Sequence, residues 1–119
     1  MVLKKRLDRS KEIINLPQVS SAWMRQKLEA VQQEMFKKAL AYRETNTRSA
    51  STYDELKSLV KDGGFVRCFF KPDRAAEAKI KDETKATVRC IPFNQSAKSG
   101  KCIYSGEETT TEVLFAQAY

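Results

Sequence analysis

The three cysteines are the residues of this 119-residue chain best suited to bind a metal or act as nucleophiles: Cys68, Cys90 and Cys102. They are far apart and form no C-x-x-C pair, which is the spacing by which zinc knuckles supply two ligands. Cys68 and Cys90 lie in apolar, β-prone runs, where cysteine is most often a small core residue, so we expect both to be buried. Cys102 precedes a Ser105-Gly106 turn, where a knuckle would need a second cysteine. Spacing alone therefore argues against a metal site.

Other catalytic groups are missing or poorly placed. The chain has no histidine, which excludes imidazole as a general base or metal ligand. Asp82 with Glu83, and Glu107 with Glu108, are carboxylate neighbours, but adjacent side chains on a helix or strand point apart. The glycine pattern of phosphate-binding loops is also absent from the sequence. The sequence therefore carries no recognisable catalytic machinery, and we expect these carboxylates to be solvated.

The positive charge is concentrated in the N-terminal part. The chain has 22 Lys and Arg against 15 Asp and Glu, a net charge of +7, and the first 48 residues hold 11 of the basic and 5 of the acidic side chains. A basic group near the N-terminus could follow a phosphate backbone with salt-dependent affinity. The same charge could instead protect an edge strand from aggregation. Both interpretations stay open for Lys4, Lys5, Arg6, Arg9 and Lys11.

Two elements are predicted in the N-terminal part. Short apolar runs on either side of Asp8-Arg9-Ser10 predict a β-hairpin within residues 2–16. After Pro17, with Ser20 or Ser21 as N-cap, apolar residues recur every three or four positions, which predicts a helix of about two dozen residues with one apolar stripe. The stripe consists of Met24, Leu28, Val31, Met35, Ala39 and Tyr42.

The C-terminal part mixes helices and strands. Thr52 and Glu55 form the capping-box pattern of a second helix, and Asp73 can open a third. The apolar run 65–70 predicts a strand covered on both faces. Three further strand-like runs follow, at 86–93, 101–104 and 112–118. The fold class is therefore α+β: a small mixed sheet packed with two or three helices, preceded by the hairpin-like segment and the long helix.

The chain is expected to be cytoplasmic. No apolar run approaches the roughly 18 residues of a membrane span, and the N-terminus lacks the apolar stretch of a signal peptide. An odd number of widely spaced cysteines fits reduced thiols better than a disulfide framework. We therefore expect no membrane partner.

Three blocks in the C-terminal part carry a family resemblance. They are KIKDETKATVRCIP at 79–92, GKCIYSG at 100–106 and VLFAQAY at 113–119. Together they resemble the C-terminal domain of prolyl-tRNA synthetase, of the archaeal and eukaryote-like type. Residues 36–44 resemble the end of the helix leading into that domain, and 2–16 are loosely similar to the last strands of the anticodon-binding domain. The resemblance implies three segments: 1–16, the end of the anticodon-binding domain; 17–50, a connecting helix; and 51–119, the C-terminal, zinc-binding-like domain.

The resemblance also implies a function. The family's intact enzymes are class II ligases that use ATP and Mg²⁺ to attach proline to tRNA(Pro), and their catalytic motifs lie upstream of this segment. The chain would then be a C-terminal fragment, inactive alone, that packs on the catalytic and anticodon-binding domains of an enzyme expected to be a homodimer. A free-standing basic module for RNA binding or docking is the alternative. A purely structural remnant without a ligand is a third possibility.

Particular residues follow from the resemblance. The family's four zinc-binding cysteines match Lys71, Ala76, Cys102 and Ser105, so one ligand is retained and we expect no zinc. The family's terminal tyrosine lies near the active site, which marks Tyr119, and the basic residues Lys4, Lys5, Arg6 and Arg9 would lie on the tRNA side. Without zinc, stability would come from an apolar core of Phe65, Phe69, Phe70, Ile80, Ile91 and Phe115.

Overall fold

The structure, a computed structural model, describes residues 1–118. It contains three α-helices and a small mixed sheet, which confirms the α+β class. The chain forms two compact units, Met1–Tyr42 and the residues from Arg43 onward. We call them the hairpin unit and the sheet unit.

The hairpin unit begins with the predicted β-hairpin. Strands β1 (Val2–Lys4) and β2 (Lys11–Ile13) pair antiparallel as a separate two-stranded sheet. The Asp8 carboxylate accepts hydrogen bonds from the backbone N–H and hydroxyl of Ser10, at 2.9 and 2.7 Å, which fixes the loop between the strands. Short polar side chains that bond their own backbone favour such loops, so the turn was readable from sequence.

Helix α1 (Ser21–Thr45) follows, and its N-terminus is capped by the Ser20 hydroxyl, which accepts a hydrogen bond from the Trp23 N–H at 3.1 Å. The predicted helix is confirmed, with 25 residues. Its apolar stripe is not packed inside the hairpin unit: the exposed fraction of Leu28 is 65% and that of Met35 is 50%.

The sheet unit is built on a four-stranded sheet with a helix after each of its first two strands. Strand β8 lies inside the sheet, antiparallel to both neighbours, whereas β3 pairs parallel with β4. The order is β3-β4-β8-β5, and β6 and β7 form a separate antiparallel pair. The elements are β3 (Thr47–Ser49), α2 (Tyr53–Lys61), β4 (Phe65–Phe69), α3 (Arg74–Thr84), β5 (Ala86–Cys90), β6 (Gly100–Lys101), β7 (Glu108–Thr109) and β8 (Glu112–Gln117).

Local chemistry explains where the two short helices begin. The Thr52 hydroxyl and the Glu55 carboxylate form the predicted capping box at α2. The Asp73 carboxylate accepts a hydrogen bond from the Ala75 N–H at 2.9 Å and caps α3. After α2, Gly64 has a φ of +80°, and a Cβ there would lie 2.5 Å from the carbonyl oxygen of Asn46. Only glycine fits this approach of the two backbones.

The core lies between one face of the sheet and helices α2 and α3. The rings of Phe70 and Phe115 meet edge to face with centroids 5.4 Å apart. Of the six predicted core residues, Phe70, Ile80 and Phe115 are fully buried. The other buried side chains of this cluster are Ala50, Leu56, Val60, Val66, Cys68, Ala76, Ala86, Cys102, Ile103 and Val113.

Several expectations about burial were wrong. The strand at 65–70 is buried on one face only, because its side chains alternate between the core and the open side of the sheet. Phe65 is consequently 37% exposed, and Ile91, beyond the end of β5, is 54% exposed. Cys90 is exposed as well, whereas Cys68 is buried as predicted.

The exposure of Cys90 has a specific cause. Strand β5 has a register irregularity between Val88 and Cys90, so that Val88 lies opposite Phe115 and Cys90 opposite Leu114. A β-bulge of this kind moves every later side chain to the other face of the sheet. Simple alternation from the buried Ala86 would have placed Cys90 in the core, which is why the sequence pattern was misleading.

The strand pattern also differed in detail. The run at 101–104 is mostly a turn, and only Gly100–Lys101 forms a short strand there. Strands β3 and β7 were not predicted, because both lie in polar segments whose residues favour turns. Tertiary pairing overrides that local preference.

Candidate functional site

One cavity in the sheet unit brings together the four positions at which the family resemblance implies metal ligands. The cavity has a volume of about 380 Å³, and its lining includes Lys71, Ala76, Cys102 and Ser105. Lys71 follows the end of β4, Ala76 lies in the first turns of α3, and the other two lie in the turn after β6. Three separate segments of the chain therefore converge here.

The Cys102 sulfur is a hydrogen-bond acceptor in this cavity. It accepts the backbone N–H of Lys71 at 3.3 Å and that of Ser105 at 3.5 Å. Burial by itself raises the pKa of the Cys102 thiol, but the hydrogen bonds from Ser105, Lys71 and Tyr104 outweigh it and lower the pKa below its ordinary value. N–H groups directed at sulfur stabilise the thiolate, so the turn is built around this atom.

An ion pair spans the mouth of the cavity. The Lys71 ammonium lies 2.9 Å from a carboxylate oxygen of Glu107, and this hydrogen bond raises the pKa of Lys71. Both side chains are more than half exposed, so solvent screens the pair. The partnership was not predicted, because Glu107 was considered only with its neighbour Glu108. The available signal was Lys71 itself: an ammonium at a position where the resemblance implies a metal ligand indicates that a carboxylate lies nearby.

The residues present do not fit a zinc ion. A structural zinc site needs four ligands, and here one thiol is accompanied by a lysine ammonium, an alanine methyl group and a serine hydroxyl. The sulfur already accepts two N–H groups, and the ammonium places a positive charge beside it. Across residues 1–118, no three Cys, Asp or Glu side chains are grouped closely enough to hold a metal together.

The carboxylate at Glu83 joins α2 to α3. It accepts a hydrogen bond from the Tyr53 hydroxyl at 3.0 Å and lies 3.0 Å from the Lys57 ammonium. Burial, together with this hydrogen bond and the nearby negative charge, raises the pKa of Tyr53 to about 12. Glu83 therefore links the two helices, and neither of these contacts pairs it with a second carboxylate.

The basic residues predicted near the N-terminus lie on the exposed β-hairpin and in its connecting loop. Lys4 and Lys11 are directly opposite each other in the register of β1 and β2. Like charges at such a cross-strand position repel each other, so an anion bound there would relieve the repulsion. Arg6 and Arg9 are exposed in the connecting loop, and Lys5 is half-buried. The hairpin thus presents several cations on a small surface.

The remaining predicted site residue, Tyr119, lies outside the described residues. The part of the chain that precedes it, β8, is the internal strand of the sheet, and Ala118 continues the pairing through a hydrogen bond from its N–H to the Lys85 carbonyl at 2.8 Å.

Comparison with known proteins identifies similar chains. Residues 53–119 match the family described as "Prolyl-tRNA synthetase, C-terminal". The proline–tRNA ligase of Roseiflexus castenholzii is 49% identical over 92 residues, which are 77% of this chain and 19% of that protein. The ligase of Chloroflexus aurantiacus is 43% identical over 105 residues, which are 85% of this chain and 22% of that protein. The ligase of Porphyromonas gingivalis is 42% identical over 92 residues, which are 77% of this chain and 19% of that protein.

The matched segment is short relative to these relatives. The chain spans about a fifth of the length of the curated proteins that it matches. Among the helices of residues 1–118, none combines the length and apolar character needed to cross a bilayer.

Proposed function

Since the chain belongs to the prolyl-tRNA synthetase C-terminal family, we propose that it serves as the C-terminal part of a proline–tRNA ligase. The intact enzyme would activate proline with ATP and Mg²⁺ and transfer it to tRNA(Pro). The observation that carries the proposal is the family match over 53–119 together with relatives 42–49% identical. We also propose that it is of the archaeal and eukaryote-like type, which the resemblance of the three sequence blocks supports.

The role of this part is structural support of the catalytic domain. The lone thiol of the Cys102 cavity, the solvated carboxylates and the absence of histidine argue against chemistry by this chain alone. The sheet unit would instead pack on the catalytic domain and direct Tyr119 toward its active site. The segments 1–16, 17–50 and 51–119 remain the proposed division, and the intact enzyme would be a cytoplasmic homodimer.

The cavity around Cys102 would work without a metal. Two N–H donors hold the sulfur, and the pair formed by Lys71 and Glu107 links the end of β4 to the segment after the turn. These contacts connect the end of β4 to the turn after β6, which are two of the three segments that a four-coordinate zinc would connect. Packing of the adjoining core supplies the remaining stability.

A chimeric enzyme tests the main proposal. In the Roseiflexus castenholzii ligase, the matched segment is replaced by this chain, and the attachment of proline to tRNA(Pro) is compared with that of the same ligase truncated before the segment. Activity clearly above that of the truncated protein supports the proposal. A chimera no more active than the truncated protein would contradict it, as would formation of prolyl-adenylate by this chain alone.

The alternative is a free-standing RNA-binding module, favoured by the opposed cations Lys4 and Lys11. Such a module would bind tRNA on its own, with micromolar affinity that falls steeply with salt. Binding that appears only in the chimera would contradict the alternative. Salt-sensitive binding by the isolated chain, together with an inactive chimera, would favour it over the ligase.

A further inference from the structure

The four-stranded sheet has one face packed by helices α2 and α3 and an opposite face that neither of these two helices covers. Along β8, Val113 and Phe115 are fully buried in the core with α2 and α3, whereas Leu114 between them is only half-buried. Strand β4 alternates in the same way, with Val66 buried and Arg67 half-buried. Successive side chains of a strand point to opposite faces, so Arg67 and Leu114 lie on the side away from the core. We call that side the open face.

The bulge in β5 adds to the open face. It brings Cys90 opposite Leu114, and Leu114 is also opposite Arg67, so the three side chains form one row across β4, β8 and β5. Bulges commonly redirect side chains near functional surfaces. Beyond the row, the chain continues into the loop with Phe93. A cavity of about 670 Å³ is lined by Arg67, Cys90, Phe93 and Leu114, among other residues.

Among the described residues of the sheet unit, Phe93 is the most exposed large apolar residue, with a relative exposure of 108%. An isolated exposed apolar side chain is common on protein surfaces. Phe93 is different because it borders a concave surface that already contains Leu114, Pro92 and the Cys90 thiol. A large ring at the edge of a cavity that has an apolar side is the usual arrangement of an interface anchor.

The charges around the cavity favour a protein over a nucleic acid. Arg43 lines the cavity, and within the described residues its guanidinium forms no ion pair with a carboxylate. Glu44 lines the cavity as well. The Arg67 guanidinium is already held by Glu112. A polyanion needs an uncontested basic surface, and a carboxylate at the rim would repel phosphates. A protein surface can match an arginine and a glutamate at once.

We propose that the open face, with Phe93 as its anchor, is the surface that docks on the catalytic part of the synthetase. This inference rests on the proposed function. The length of the relatives indicates what occupies this surface. About four-fifths of each matched relative lies outside the segment that this chain covers. That remainder would supply an apolar side chain that packs on Phe93 and Leu114, with a carboxylate for Arg43.

The Cys90 thiol provides a direct test, because it lines the cavity and is exposed while Cys68 and Cys102 are buried. The rate of Cys90 alkylation by a maleimide is measured by peptide mass spectrometry in the isolated chain and in the Roseiflexus castenholzii chimera. Docking should slow the reaction by about tenfold or more in the chimera. The variant Phe93→Asp should return the rate in the chimera close to that of the isolated chain.

Thr110→Asp is the matched control, because it adds the same charge at an exposed position of the sheet unit outside the cavity. The chimera with Thr110→Asp should stay protected, and isolated chains carrying either substitution should keep the unfolding temperature of the unmodified chain. Equal loss of protection in both variants would contradict the role of Phe93.

The outcomes separate this inference from the proposed function. A chimera that charges tRNA while Cys90 reacts as fast as in the isolated chain would overturn the docking surface and leave the ligase proposal intact. An inactive chimera with protected Cys90 would overturn the ligase proposal and still support docking. Protection of the isolated chain by tRNA, or by raising its own concentration, would identify RNA or a second copy as the occupant and overturn the inference.

Discussion

The backbone N–H of Lys71 donates a hydrogen bond to the sulfur of Cys102, 31 positions away along the chain, at 3.3 Å. This contact fixes the end of β4 against the turn after β6. The Ser105 N–H approaches the same sulfur from within the turn. One thiol therefore organises two chain segments by accepting hydrogen bonds from both of them.

We predict that the chain is indifferent to metal chelators. Its unfolding temperature should be the same with and without EDTA, because three of the four positions around the cavity lack metal-ligand chemistry. Combining Lys71→Cys, Ala76→Cys and Ser105→Cys should create a site that binds Co²⁺ with thiolate charge-transfer absorption, and Zn²⁺ should raise the unfolding temperature of this variant.

The double variant Lys71→Cys with Ala76→Cys is the control for that experiment, since it supplies three thiols and should bind Co²⁺ more weakly. Loss of stability of the unmodified chain on adding EDTA would show that our metal-free interpretation is wrong.

Replacing Cys102 by alanine should destabilise the chain by about 1–3 kcal/mol, because the N–H groups of Lys71 and Ser105 would lose their acceptor in a part-buried place. Cys102→Ser retains an acceptor and should cost less. Urea unfolding measures both. If Cys102→Ala and Cys102→Ser were equally stable, the hydrogen bonds to sulfur would not be what holds the turn.

Acid should weaken the fold partly through Glu112. Burial opposes ionisation of this carboxyl, but the Ser96 N–H and the Arg67 guanidinium donate to it and hold its pKa below its usual value. A lowered folded-state pKa gives stability that is present above the unfolded-state pKa, about 4.3, and lost as the pH falls through the folded-state value.

Glu112→Gln should therefore reduce the free energy of unfolding at pH 7 by about 1–2 kcal/mol and flatten its decline below about pH 5. Urea unfolding across pH 3–7 is the measurement, with Glu108→Gln at an exposed position as the control. A decline as steep in Glu112→Gln as in the unmodified chain would mean that another group causes the acid sensitivity.

The two consecutive glycines after α2 should differ in their tolerance of alanine. Both have a φ of +80°, but a Cβ at Gly63 meets nothing within 4 Å, whereas a Cβ at Gly64 would lie 2.5 Å from the Asn46 carbonyl oxygen. Gly63→Ala should cost about 1–2 kcal/mol through backbone strain. Gly64→Ala should cost roughly 1–3 kcal/mol more because the backbones must separate. Equal unfolding free energies of the Gly63→Ala and Gly64→Ala variants would contradict the close approach of Gly64 to the Asn46 carbonyl.

Neutralising the hairpin should test its contact with RNA. In the chimera, replacing Lys4, Lys5, Arg6 and Arg9 by glutamine should weaken tRNA binding and make the dependence of affinity on salt shallower. Glutamine at Lys61, Lys79, Lys81 and Lys98 of the sheet unit is a control of equal charge change. If the hairpin variant bound tRNA with unchanged affinity, these charges would serve solubility alone.

The sequence predicted elements whose signals are local. Capping side chains such as Thr52 and Asp73 bond their own helix, so their role is visible within a few residues. Strand β3 depends instead on parallel pairing with β4, and nothing in its polar sequence indicates that partner. The exposed Cys90 depends on a bulge defined only by the register with β8. The role of Glu107 depends on its ion pair with Lys71, which lies 36 positions away along the chain.

The internal position of β8 has a consequence for synthesis. This strand pairs with both β4 and β5, yet it is the last of the eight strands within residues 1–118. At the 5–20 residues per second of translation, β4 and β5 therefore wait several seconds for the strand that separates them. Until Gln117 has left the ribosome, the half-made sheet has two adjacent unpaired edges, which is when chaperones or aggregation would compete for it.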